Sequence, residues 1–176
     1  MSAPMSYARF RFSRSARITL GCLALIASTA TCDDPTAPLP REGPPDELSF
    51  VFGGFAIEGV TLKLQGTTVL MWRQSWDPRP GEPIDTLRVT PSAELWRDFW
   101  SAADAAGLQR WRARYSAEGI VDGNGWQLRL VAGAFALEST GSNAYPDRLG
   151  REHEGEMTAE FRALRTALGN LVGEPL

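Results

Sequence analysis

The chain has 176 residues, a net charge of −3 and 43% hydrophobic residues, which fits one folded domain with some chain to spare. The charge is uneven: Arg9, Arg11, Arg14 and Arg17 lie in the first 31 residues, which hold no acid, so the rest carries 14 basic against 21 acidic residues, or −7. That acidic remainder argues against nucleic acid as a partner. A single histidine, with no cysteine beyond position 32, rules out a Cys/His structural zinc site.

In chain order, the arginine-bearing start is followed by an uncharged, mostly apolar run from Ile18 to Ala30. Basic residues, a short apolar run and then small residues form a secretory signal. The run is thirteen residues long, and a membrane-spanning helix needs about 20. Residues 1–31 are therefore read as a signal peptide. Cys22 would leave with it, so Cys32 would stand alone in the exported chain, and an odd cysteine there calls for an explanation. Ser28-Thr29-Ala30-Thr31-Cys32 resembles a bacterial lipobox, in which small residues precede a cysteine that becomes lipidated. Thr29 and Thr31 stand where that pattern prefers Leu and Gly or Ala. The resemblance implies a membrane anchor through Cys32. The alternative is cleavage after Ala30, giving a secreted or periplasmic soluble protein.

Residues 32–46 read as a tether. Five prolines fall between positions 33 and 46, with little to bury, so an extended and mobile segment is expected. At about 3.1 Å per residue it would reach roughly 40 Å.

Residues 47–176 are the size of a single domain. Leu48–Phe52 reads as a strand ending at Gly53 and Gly54. Val60–Gln65 alternates apolar and polar residues, as a half-buried strand does. Gly66 turns the chain into a second strand, Thr67–Trp76. Turn residues make 77–83 a loop, and Thr86–Thr90 is a further strand. The period then becomes helical. Thr90 is expected to cap a helix with Pro91 at its first position. Leu95, Phe99, Ala102, Ala103 and Ala106 fall on one face, and Gly107 ends the run. Trp126, Leu128 and Leu130 alternate into a hairpin that turns at Ala132 and Gly133. A last helix, from about Glu154 to Val172, aligns Met157, Phe161, Leu164, Leu168 and Leu171. Hairpins imply antiparallel pairing. The fold expected is therefore α+β, an antiparallel sheet of about five to six strands with two helices packed on one face.

Chemistry-bearing constellations are sparse. His153, followed by Glu154, resembles part of a zinc-peptidase helix, but the second histidine that motif needs is Met157 here. Glu152, Glu154 and Glu156 read as acids near a helix N-terminus. Asp122 and Asp147 both sit in turn sequences, and no Gly-x-Ser-x-Gly elbow is present. No catalytic residue, metal or cofactor is assigned, and a non-enzymatic protein is expected. The six tryptophans are the other conspicuous feature. Trp100 and Trp126 read as core. The Thr67–Trp76 strand is apolar on both faces, so either a helix covers its second face or Trp72 and Trp76 form an exposed patch.

Phe52-Gly53-Gly54-Phe55-Ala56 resembles the opening of the emfourin family, small bacterial proteins that inhibit thermolysin-type metallopeptidases. Residues 48–172 follow that family's element order, with Asp122 and Trp126 opening the hairpin and Pro146 preceding the final helix. The 77–85 insert and the exported context depart from the pattern. The resemblance implies a protein-binding module at the cell envelope whose partner is an extracytoplasmic peptidase or another protein. Gly53, Gly54, Phe55, Trp72 and Trp76 are the candidate contacts. The alternatives are a small-molecule carrier, with a pocket lined by Trp96, Trp100 or Trp111, and a structural envelope lipoprotein.

Overall fold

Strict alternation along the strands builds a sheet with one buried face. The computed structural model describes residues 37–55, 57–74, 86–119 and 122–176. In β1 (Glu47–Gly54) Leu48, Phe50 and Phe52 point into the core. They continue across β2 (Ile57–Gln65) as Val60 and Leu62, and across β3 (Thr68–Gln74) as Val69 and Met71. The register carries this row through: Phe50 faces Leu62, and Leu62 faces Met71. Strand β4 (Thr86–Val89) closes that edge by pairing with β3.

After helix α1 (Ala93–Ala106) and a 3-10 turn at Leu108–Arg110, a short strand β5 (Arg114–Ser116) precedes the hairpin of β6 (Asn124–Ala132) and β7 (Phe135–Ser142). Strands β8 (Ala144–Pro146) and β9 (Glu152–Glu154) form a separate two-stranded ribbon, and helix α2 (Ala159–Val172) follows. The main sheet has seven strands in the order β4-β3-β2-β1-β6-β7-β5. It is antiparallel except where β5 pairs parallel with β7. This is the α+β arrangement read from the sequence, with seven strands rather than five or six. The extra strand is β5, three residues with one buried side chain, Tyr115. A single inward position leaves no alternation to read.

Both helices cover the Phe50 face and pack on each other. Their interface with the sheet is largely aromatic. Phe161 of α2 sits among Trp126, Tyr145, Trp111 and Phe50, at centroid separations of 4.9, 5.0, 6.0 and 6.4 Å. Such pairs add about 0.5–1.5 kcal/mol beyond area burial. Buried indoles also find acceptors: Trp126 Nε1 donates to the Ala144 carbonyl at 2.9 Å and Trp111 Nε1 to that of Ala106 at 3.1 Å.

Two boundaries differ from the sequence reading. Helix α1 is capped by Ser92, whose Oγ accepts from the Leu95 N–H at 3.3 Å. The Thr90 hydroxyl instead meets that of Thr68. Helix α2 begins at Ala159, capped by Thr158, and not near Glu154. Gly155, at φ +81°, breaks the chain between β9 and the helix, so Glu152 and Glu154 belong to a strand and Met157 precedes the helix.

Residues 37–46, part of the 32–46 segment read as a mobile tether, lie against the domain. Ala37 and Leu39 pack on the core, Pro45 is buried, and the Gly43 carbonyl accepts from Trp100 Nε1 at 2.8 Å. Asp46 holds the β6–β7 turn through Gly133 N–H. The apolar prolines and Leu39 find a surface on α1, which composition alone does not reveal. Residues 1–36, including the segment read as a signal peptide and Cys32, lie outside the described residues, as do Trp76 and the rest of 75–85. Among the described residues, no helix is long and apolar enough to cross a membrane.

Candidate functional site

The sheet's second face has no helix on it among the described residues. A row runs across it from Trp72 on β3 through Thr61, Val51 and Gln127 to Thr140. Trp72 is half-buried there, so the apolar second face of β3 belongs to the open side and is not roofed by a helix. Gly53 lies on the same face, two residues beyond Val51. Strand geometry then separates it from Trp72 by about 12 Å. Val51, Gly53, Gly125, Gln127, Thr140 and Ser142 line a shallow depression of about 340 Å³.

Beyond Gly53 the chain turns sharply, Gly54 pairing with Ile57. The turn is braced from the side. Phe55 N–H donates to the Gly123 carbonyl at 3.2 Å, and a Cβ on Gly54 would lie 2.3 Å from that same oxygen. Gly54 is therefore required by close backbone approach. The neighbouring loop is fixed in turn by Asn143, whose Oδ1 accepts from Asn124 N–H at 2.7 Å. At this braced tip the aromatic side chain of Phe55 is 60% exposed. Gly53, Gly54 and Phe55 are thus contiguous at one end, whereas Trp72 stands two strands away.

On the helix side of the same end lies a larger groove of about 1130 Å³, lined by Leu95, Met157, Arg162, Arg165, Thr166 and Asn170 together with residues 173–176. Sequence reasoning missed it. The available signal was Arg165, a charge placed four residues after Phe161, on the apolar stripe of α2. Its guanidinium lies over the Phe52 ring at 4.3 Å. Burial lowers its pKa from the usual arginine value, while the nearby Tyr145 works in the opposite sense.

His153 sits on exposed β9 with its ring against Asp147, Nε2 to Oδ2 at 3.2 Å. Asp147 is a turn organiser, as its sequence context suggests. Its Oδ1 accepts from the N–H groups of Leu149 at 2.8 Å and Arg151 at 2.9 Å, and its Oδ2 accepts from Arg151 Nε at 2.7 Å. Burial pushes this carboxyl up, but the hydrogen bonds from Arg151, His153 and Leu149 outweigh it and hold the group well below the usual carboxylate range. His153 lines neither of these two cavities. Among the described residues, no group of three or more His, Cys, Asp or Glu is placed to hold a metal ion. Trp96, Trp100 and Trp111 are core residues, at most 5% exposed, packed edge to face or stacked on Phe99 and Phe161; of the three, Trp100 also lines a depression of about 400 Å³ together with Leu39, Arg97 and Asp104.

Comparison with protein-family models, with characterised proteins and with solved structures finds no match to this chain.

Proposed function

We propose that the chain is an exported protein-binding module, held at the cell envelope by a lipid on Cys32, and that it acts by docking on a partner and not by catalysis. The observation that carries this reading is the braced tip. Phe55 is the most exposed large hydrophobic side chain among the described residues, and the backbone beneath it is fixed by the β1–β2 pairing and by Gly123. An exposed aromatic on a backbone held in this way suits a contact residue, because little loop entropy remains to be lost on binding. Trp72 extends the candidate surface over the open sheet face.

The emfourin-like pattern at Phe52–Ala56 makes an extracytoplasmic thermolysin-type metallopeptidase the first partner to test. Purified residues 31–176 are expected to inhibit such an enzyme encoded beside this chain. Phe55→Ala should weaken inhibition by about tenfold or more, the loss typical of a contact hot spot, without lowering the melting temperature. Absence of inhibition by the folded protein would remove the peptidase version. Unchanged inhibition by Phe55→Ala would remove the tip as its contact.

A further inference from the structure

Little slack separates the folded domain from Cys32. Ala37 and Leu39 pack on the core, and residues 38–41 share with Arg97, Trp100, Asp104 and Gln109 the depression on α1. From Cys32 to Ala37 the chain counts five residues, which reach at most about 18 Å when fully extended. A lipid on Cys32 therefore keeps the α1 side of the domain close to the headgroups.

That side carries a local exception to the acidic balance of the domain. Gln109 adjoins Arg110, and Arg110, Arg112, Arg148 and Arg151 are all exposed around the loop that joins β8 to β9. Backbone packing gathers them from two parts of the chain. A Cβ on Gly107 would lie 2.2 Å from the Arg148 carbonyl oxygen, and one on Gly150 would lie 1.9 Å from that of Arg110. The Arg112 guanidinium lies over the Tyr115 ring at 4.9 Å, and the Tyr115 hydroxyl donates to the Gly150 carbonyl at 3.3 Å. Two carboxylates answer these four cations: Asp147 meets Arg151 at 2.7 Å and Glu152 meets Arg112 at 3.8 Å. Glu154 sits further along the ribbon, opposite Ala144, and Asp104 lines the depression with Arg41 and Arg97. Arg110 and Arg148 have no ion-pair partner among the described residues. Between them in space stands Leu149, 59% exposed. The backbone beneath it is fixed, because the Asp147 carboxylate accepts from the N–H groups of Leu149 and Arg151.

We infer that this surface, Leu149 flanked by Arg110 and Arg148, docks on the anionic headgroups of the membrane that carries the anchor. It rests on the lipid proposed at Cys32. Guanidiniums match headgroup phosphates in bidentate geometry, and an exposed leucine between them can enter the acyl boundary. So few cations would hold a free protein to a membrane only weakly. A five-residue leash instead presents the surface at an effective concentration in the millimolar range, where a weak contact is populated. A freely diffusing acidic protein lacks that advantage, which favours the lipid surface as the occupant. The Phe55 tip stays available, since β8 separates the Asn143 loop that braces it from the Asp147 loop by about 13 Å.

The test holds residues 33–176, with an N-terminal histidine tag, on vesicles through a nickel-chelating lipid in place of the acylated cysteine. Those residues contain no cysteine, so Leu149→Cys takes a single environment-sensitive fluorophore, with folding checked by circular dichroism. Its emission is expected to shift to the blue on vesicles of equal parts phosphatidylcholine and phosphatidylglycerol, and to stay unchanged on phosphatidylcholine alone. The same fluorophore on Arg88→Cys, in β4 at the opposite edge of the sheet from β5, should report water on both. Arg110→Gln combined with Arg148→Gln should lower the constant for lipid contact by about twentyfold or more, at about fivefold per arginine, without changing the melting temperature. An equal blue shift on phosphatidylcholine alone, a fluorophore at 149 that stays in water on the mixed vesicles, or indifference to the two substitutions would each overturn the inference. These chains carry no acyl group, so such a failure leaves the anchor standing. An unmodified Cys32 in the mature protein would instead overturn the anchor, and the leash with it, whatever the vesicles show.

Discussion

Removing the Asp147 carboxylate should loosen the loop that joins β8 to β9, and by an amount that depends on pH. The side chain of Asp147 is 9% exposed, whereas its two side-chain partners, Arg151 and His153, are 69% and 49% exposed. Those two contacts are therefore screened and count for little. The hydrogen bonds that matter come from the main-chain N–H groups of Leu149 and Arg151, each worth about 1.5 kcal/mol or more to a charged acceptor. Asp147→Ala should thus cost about 3 kcal/mol, a fall in melting temperature of about 10 °C for a domain of this size. Asp147→Asn keeps the Oδ1 acceptor and loses the charge, so it should cost about half as much. The sign of the pH dependence follows from the depressed carboxyl pKa in the fold. The contribution is complete above the unfolded value of about 3.9 and is lost as pH falls from there toward the lower folded value. Thermal melts of wild type and Asp147→Asn at pH 7, 5, 4, 3 and 2 should show a constant gap down to about pH 5 that then narrows. A gap as wide at pH 2 as at pH 7, or Asp147→Ala melting with wild type at pH 7, would refute the assignment of this carboxylate as the organiser of the loop.

Phe161→Ala removes the ring around which Phe50, Trp111, Trp126 and Tyr145 pack, and should cost about 3–5 kcal/mol by urea denaturation. Gly54→Ala forces its Cβ toward the Gly123 carbonyl and should destabilise by about 1–3 kcal/mol. If it left stability unchanged and altered only partner binding, the glycine would be a contact and not a packing requirement. For the anchor, mass spectrometry of the mature protein should find an N-terminal Cys32 carrying acyl chains. An unmodified chain starting at Thr31 would replace the anchored form with a freely diffusing one.

Strand β3 is apolar on both faces and its buried side was not legible, whereas the pattern of inward residues on β1, β2 and β6 was, because alternate side chains are apolar and a period of two admits one burial. The same holds for α1 and for the Phe161, Leu164, Leu168 and Leu171 stripe of α2, with Gly107 as a stop. What was not legible depended on contacts distant in sequence. The reading placed the cap of α1 at Thr90 and the start of α2 near Glu154. The choice between Thr90 and Ser92 turns on where the chain leaves β4, and β9 exists only because Tyr145 and Pro146 return to pair with His153 and Glu152. The tether looked free because prolines carry no periodic signal, yet Gly43 accepts from Trp100, 57 residues away. At the candidate site, Gly53, Gly54 and Phe55 could be singled out as a motif, but composition could not separate a glycine needed for close packing from one exposed to a partner. The groove was invisible for a simpler reason: Leu95, Arg165 and Leu176 are far apart along the chain and line one groove only once the helices lie on the sheet. The sequence by itself determined the longer strands and the two helices and, apart from β3, the buried face of those with a clear period, since hydrophobic periodicity is a local property. The tertiary structure decided which loops brace the Phe55 tip and which cations flank Leu149, since those depend on how the layers are stacked.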